Sequence, residues 1–254
     1  MTASPSRPKA PKTVRVVDRA ARVLECFTRQ TPALTLAEIS AQVGLPKATT
    51  FRILANLAHY GFLDLNPATN VHTLGLAPLR HADDLLEGLT IRKRARPIMR
   101  AVRAAVNETV VLSVRDGDHR YNIDSVESTH AIGQTQRIGE AIPLYAGAAS
   151  RALLAALPDD DVAAYLGRTD LRPFSDTTLT EPEQVWADIR RIRRRGYATS
   201  AGEFTAGGHA VACAIGNGEQ AGALHVSIPS GRFSSEIEEK CIKQLLDATR
   251  SLAG

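Results

Sequence analysis

Residues 35–58 read TLAEISAQVGLPKATTFRILANLA. Thr35 and Glu38 have capping-box spacing: a hydroxyl at a helix start and a carboxylate three residues on, each placed to accept an N–H near the other. Leu36, Ile39 and Val43 follow as an apolar stripe. Gly44 stops that helix, and Pro46 opens a second at a position where a missing N–H does no harm. The second helix is expected from about Pro46 to Ala58. Phe51, Leu54, Ala55 and Ala58 recur at i, i+3, i+4 and i+7, so they are expected to pack inward. Thr49, Arg52, Ile53 and Asn56 repeat that spacing on the other side, toward whatever the helix docks on. Small hydroxyls, a guanidinium and a carboxamide suit a major-groove floor and its phosphate walls. An ordinary helical hairpin is the alternative reading.

The flanks favour the DNA-binding reading. Phe62–Leu65 and Val71–Leu74 are strand-like, and Asn66-Pro67-Ala68-Thr69-Asn70 between them is rich in turn formers. A hairpin directly after such a helix is the wing of a winged helix-turn-helix. Upstream, Val17, Ala20, Ala21, Leu24 and Phe27 form one helical face, expected to complete the small core.

Bulk properties narrow the class. The chain has 254 residues, enough for one large or two modest domains. No apolar run approaches membrane-spanning length, and the start lacks a signal-peptide core, which predicts a cytoplasmic protein. Cys26, Cys213 and Cys241 are scattered, with no CxxC, as expected of free thiols. Residues 1–75 carry nine Lys/Arg and four acids, net +5, which leaves −1 for the remainder of a chain of net +4. Only one end of the chain is built to meet phosphates. Residues 1–12, rich in Pro, Ser and Lys/Arg, are expected to be a disordered basic tail.

The order of patterns predicts a winged domain over 13–75, a linker helix over 76–90 and a larger domain over 91–254. Leu76, Leu79, Leu85, Leu86 and Leu89 mark the linker stripe. Ile91 to Val106 continues as helix, with a kink or restart expected at Pro97. Beyond it strands and helices alternate. Thr109–Val114 and Tyr121–Val126 flank a turn at Asp116-Gly117. A small-residue helix runs from Gly147 through Leu157. Thr180 and Glu183 suggest a second capping box, opening a helix that stops at Gly196. Ala210–Ile215 and Ala221–Ile228 flank Gly216-Asn217-Gly218, and Glu236–Leu252 is amphipathic. The expectation is a mixed sheet flanked by helices, a sensor-like α/β domain.

No catalytic pattern stands out: GxSxG, HExxH and a P-loop are all missing from the sequence. The run Arg190, Arg191, Arg193, Arg194, Arg195 reads as a solvated face near a helix C-terminus. His209, Cys213 and His225 lie on adjoining strand segments without diagnostic metal spacing, so no metal or cofactor is expected. Gly147-Ala148-Ala149 is more suggestive. A helix N-terminus with small residues lets an anion approach unpaired N–H groups, although tight helix-on-sheet packing explains the same residues.

The order of helix-turn-helix, wing, linker helix and α/β domain resembles the IclR family of bacterial transcriptional regulators. Val16-Val17-Asp18-Arg19-Ala20 resembles the family's opening helix. Gly44-Leu45-Pro46-Lys47-Ala48-Thr49 with Arg52 resembles its recognition helix, and Pro143 to Ser150 its pocket-side turn. Gly196-Tyr197, Gly202-Glu203-Phe204 and Val226-Ser227-Ile228-Pro229 resemble its C-terminal signature. The resemblance implies an α+β chain with a GAF-like effector-binding domain, assembled as dimers or paired dimers. It implies a pocket of Gly147, Ala148, Glu203, Ala210, His225 and Ser227, and a small, usually acidic, effector. The family often has Cys or Ser where Ala210 stands and Ser where His225 stands. The imidazole of His225 could pair with a carboxylate or a phenol. On the DNA side the expected residues are Lys47, Thr49, Thr50, Arg52 and Asn56. The chain is thus expected to be a non-enzymatic, ligand-responsive regulator that reads duplex operator DNA as a homo-oligomer and has no membrane partner. A small-molecule enzyme with an N-terminal interaction module, and a winged-helix protein–protein adaptor, are the alternatives.

Overall fold

The computed structural model describes residues 14–131, 136–216 and 221–253. The expected basic tail, and Asn217 and Gly218 of the expected hairpin turn, lie outside them. The chain divides into two compact units, 1–85 and 86–254.

The first unit contains α1 (Arg15–Glu25), β1 (Ala33–Thr35), α2 (Leu36–Val43), α3 (Lys47–His59), β2 (Leu63–Asn66) and β3 (Val71–Leu74). The capping box forms: Glu38 N–H donates to Thr35 Oγ1 at 3.3 Å, and Thr35 N–H to Glu38 Oε2 at 2.7 Å. Gly44 ends α2 at φ +67°, a left-handed conformation that favours glycine. The wing is wider than a hairpin. β1, the segment before α2, adds to it antiparallel in the order β1-β3-β2. Gly75 brings the chain back against the start of the wing, where a Cβ would lie 2.3 Å from Gly61 O.

Two helical faces differ from expectation. In α3 the buried positions are Thr50, Ile53 and Leu54, whereas Phe51 is 58% exposed and Ala55 is exposed. The Thr50 hydroxyl donates to Pro46 O at 3.3 Å, so it can be buried with its hydrogen bond made. That rotation turns Ile53 into the core beside Ile39 and Val23 and turns Phe51 out. In α1, Val17 and Ala21 are exposed, and the fully buried Val23 takes the core position.

α4 (Ala77–Gly88) crosses the division between the units. The second unit continues with α5 (Thr90–Val106), β4 (Thr109–Asp116), β5 (His119–Val126), β6 (Ala141–Pro143), α6 (Ala148–Ala155), α7 (Asp159–Arg168), α8 (Pro182–Arg195), β7 (Ala198–Ala201), β8 (Gly208–Ile215), β9 (Gly222–Pro229) and α9 (Ser235–Ala253). The sheet order is β6-β5-β4-β9-β8-β7, and every pairing is antiparallel, so the sheet is not mixed. Short returns join β4 to β5, β7 to β8 and β8 to β9, where parallel neighbours would need long crossovers, and β4 meets β9 across most of the unit's sequence. α5 runs unbroken through Pro97, because Ala95, Met99 and Val102 bury the helix on both sides of the proline. The second capping box does not form. Pro182 at the first helical position fixes the start of α8 past Thr180, and no side chain caps it.

The period of two along each strand divides the sheet into faces. Val110, Leu112, Val211, Cys213, Leu224, Val226 and Ile228 pack with α5 and α9. Ala212 and Ala223, one residue out of step, pack with α6, α7 and α8. Cys26, Cys213 and Cys241 are free and buried. Burial pushes the thiols of Cys213 and Cys241 up to about 12, which leaves them protonated and unreactive.

Candidate functional site

Two sites emerge, one in each unit. On the first, α3 presents Lys47, Arg52 and Asn56 on its exposed side, with Thr49 half-buried. Thr49, Arg52 and Asn56 line a cleft between α3 and α1, shared with Arg19 and Tyr60. Asn56 Nδ2 donates to Arg52 O at 2.7 Å, which leaves the carboxamide oxygen to face outward. Thr50 does not belong to this face. It is 0% exposed, and its hydroxyl is used inside the helix, so it is a core residue. Phe51, assigned from spacing to the core, instead joins the exposed side next to Arg52.

The second site is a recess between the N-terminus of α6 and the sheet. All six positions expected from the sequence line it: Gly147, Ala148, Glu203, Ala210, His225 and Ser227. Register explains the convergence. Ala210 pairs with Ser227 and Ala212 with His225 across β8 and β9, so Ala210, His225 and Ser227 share the face that looks at α6. Gly147 caps the helix at φ +81°, and Ala148 and Ala149 follow with side chains too small to cover the backbone. Free space in the recess is about 50 Å³. That is room for about three to five water-sized groups.

Its electrostatics rest on two buried arginines. Arg151, on α6, is 1% exposed and serves the fold. Its Nε donates to Asp188 Oδ2 at 2.6 Å, and its Nη2 to Glu203 Oε1 at 2.7 Å and Thr199 O at 3.0 Å. Burial alone lowers its pKa, but the carboxylates of Glu203 and Asp188 outweigh burial and hold it above the usual guanidinium value. Glu203 also accepts the Gly147 N–H at 3.3 Å. Its carboxylate therefore already sits at the helix end where an incoming anion was expected.

Arg120, on β5, is 5% exposed, and among the described residues it bonds only to neutral groups: Ser150 Oγ at 2.9 Å, Ser113 Oγ at 3.0 Å and Asn122 Oδ1. Burial pushes it down to about 10, partly offset by Glu140, so it stays charged at neutral pH. His225 is 3% exposed, and its pKa lies well below the usual histidine value, first through burial and second through the Arg120 charge. It is therefore neutral. Its Nδ1 has no hydrogen-bond partner among the described residues. Gln136 Nε2 donates to Ser227 Oγ at 3.2 Å. Among the described residues no group of three His, Cys, Asp or Glu side chains could hold a metal ion, and no helix is long and apolar enough to cross a membrane.

Residues 84–253 match the family model described as bacterial transcriptional regulator IclR C-terminal, and residues 16–67 match the IclR helix-turn-helix domain. The chain belongs to the IclR family. This IclR-family chain is a transcriptional regulator with a helix-turn-helix DNA-binding domain and an effector domain. It is 30% identical over 239 residues to the HTH-type transcriptional regulator KipR of Bacillus subtilis, covering 94% of both chains. An IclR transcriptional regulator from Silicibacter sp. superposes with a TM-score of 0.80 at 26% identity, covering 94% of both chains. An IclR homolog from Microbacterium hydrocarbonoxydans, solved with 4-hydroxybenzoate, shares the fold at a TM-score of 0.76 and 23% identity, over 94% of this chain and 97% of that one.

Sequence reasoning missed Arg120, Gln136 and the Arg151–Glu203–Asp188 cluster. Arg120 left a signal: a charged residue one step before a strand read as starting at Tyr121, in step with Asn122 on an inward face. Arg151 left none, because its partners lie 37 and 52 residues away. In the arginine run, Arg193 is more than a solvated cation. Its Nε and Nη2 donate to Ala155 O at 2.9 Å and Leu157 O at 2.6 Å, at the end of α6.

Proposed function

We propose that this regulator binds a near-palindromic operator as a homo-oligomer of even number, and that a small carboxylate-bearing metabolite in the α6 recess modulates that binding. The observation that carries the reading is the convergence of Gly147, Ala148, Glu203, Ala210, His225 and Ser227 on one polar recess. A buried cation without a carboxylate partner among the described residues opens onto the same space, which favours an anionic occupant. The free volume favours a compact acid of a few carbons, and an aromatic acid such as the 4-hydroxybenzoate of the Microbacterium homolog would need the recess to open. On the DNA side, Lys47 and Arg52 supply phosphate or base contacts, with Thr49, Asn56 and the exposed Phe51 beside them. An aromatic edge at that place suits a thymine methyl. Two winged domains reading two half-sites explain why an even-numbered oligomer is needed. The segment 76–90 links the winged domain of 13–75 to the effector domain of 91–254 and transmits the ligand's influence. The protein works in the cytoplasm and turns over no substrate.

The test combines light scattering with titration of labelled DNA from upstream of the gene, with and without millimolar small carboxylates. Even-numbered oligomers, specific retention of one fragment and a shift in its affinity with at least one acid are expected. A monomer with and without DNA, or operator affinity indifferent to every acid tried, rejects the corresponding half of the proposal.

A further inference from the structure

The recess contains a buried cation that no carboxylate among the described residues contacts, although the charge of Glu140 reaches it from further off. The Arg120 guanidinium spends Nε on Ser150 and Nη1 on Ser113 and Asn122, all neutral acceptors. Its Nη2 donates to no acceptor among the described residues. A buried cation normally pairs with a carboxylate, because desolvation is costly. The carboxylate in this recess, Glu203, is committed to Arg151 and to the Gly147 N–H. Glu140 is turned to Arg137 at 3.9 Å. Beside Arg120 lies His225, even more deeply buried, with Nδ1 unpartnered among the described residues.

These facts fix the direction in which an acid would lie. At the α6 end it would meet the Glu203 carboxylate, and like charges at close range repel. At the β5 side it would meet an unspent N–H pair on a full positive charge. We propose that Arg120 is the specificity-determining residue of the recess, receiving the effector's carboxylate on Nη2, while the α6 end takes the effector's uncharged hydrogen-bonding group. His225 lies against the bound acid as a neutral imidazole, offering one donor and one acceptor. The occupant is therefore a compact monoanion with one carboxylate and one hydroxyl or carbonyl. This rests on the acid-responsive reading above and deepens it.

The experiment compares acids with their own amides on the full chain by calorimetry: glycolate with glycolamide, lactate with lactamide, acetate with acetamide. Each pair keeps its shape and loses the charge. Wild type is expected to bind at least one acid about 10- to 100-fold better than its amide, as for a charge-assisted hydrogen bond. In Arg120→Gln, which removes the charge and ends in an amide where Nε meets Ser150, the preference is expected to shrink to within about threefold. An acid preferred equally by wild type and variant overturns the Arg120 assignment and leaves the acid-responsive reading standing. An acid held through Arg120 that leaves operator affinity unchanged does the reverse. No acid preferred over its amide by wild type overturns both. If Arg120→Gln does not fold, a crystal structure of wild type with its preferred acid decides. A carboxylate within hydrogen-bond distance of Nη2 supports the assignment, and one seated on the Ala148 and Ala149 amides overturns it.

Discussion

α3 and α6 are the functional helices of their units, and they are built in opposite ways. α3 buries one narrow stripe and leaves Lys47, Phe51, Arg52 and Asn56 in solvent. α6 is buried along its whole length, from Ala148 to Ala155. A helix that reads DNA needs an exposed face, and its side chains are themselves the instrument. A helix that closes a small recess offers backbone and small side chains, so its environment does the recognition. Substitutions on α3 should therefore change binding with little effect on folding, and substitutions around α6 should do both.

The largest effect is expected at Arg151. Arg151→Ala removes the buried cation shared by Glu203 and Asp188, leaving Glu203 only the Gly147 N–H and Asp188 the exposed Arg191 at 3.3 Å, and should destabilise the second unit by about 3–5 kcal/mol. Chemical denaturation followed by far-UV circular dichroism measures it, and a change below about 1 kcal/mol would mean the cluster is effectively solvated. Next comes the rotation of α3. Ile53→Ala should cost about 2–5 kcal/mol as a core truncation, whereas Phe51→Ala should stay within about 0.5 kcal/mol. Equal costs would restore the inward reading of Phe51. Arg52→Ala should weaken operator binding by about 1–3 kcal/mol while the melting temperature holds. Unaltered affinity in an anisotropy titration would remove Arg52 from the interface.

The smallest effect is at the start of α2. Thr35→Ala should cost about 1 kcal/mol of winged-domain stability. Hydrogen bonds from the Thr35 backbone and side chain hold the Glu38 carboxyl below its ordinary value. A lowered folded-state pKa means that this contribution is present above the unfolded value and lost as pH falls through the folded one. Thermal melts of wild type and Glu38→Gln should therefore differ at pH 7 and converge in acid, below the usual glutamate range. A gap that persists unchanged at pH 2 would assign the difference to something other than the carboxylate's charge.

What could be read in advance follows the same contrast. Punctuation was legible: Thr35–Glu38, Gly44, Gly196 and the small residues after Gly147 each mark a local event with a local cause. The six recess positions were legible through family resemblance, and strand register explains why they meet. The rotation of α3 was not legible, because Phe51/Leu54 and Ile53/Leu54 are equally good helical stripes until α1 and α2 choose between them. The second capping box failed for a local reason that was visible, Pro182. Arg120 and the Arg151 cluster were out of reach for the opposite reason. Their meaning lies in which neutral or acidic groups distant segments bring to them.

Both ends of α6 are tied by one short stretch of chain. Glu203 accepts the first N–H at Gly147, and Arg193 grips the carbonyls at Ala155 and Leu157. Negative charge at the N-terminus and positive at the C-terminus match the helix's own polarity. Such a helix has no frayed turn to give up. Its amides should exchange with deuterium among the slowest in the second unit and in step with those of β7, as one cooperative block. An occupant of the recess would then act on α6 as a rigid lever, moved whole or not at all, with residues 193–203 as its bearing.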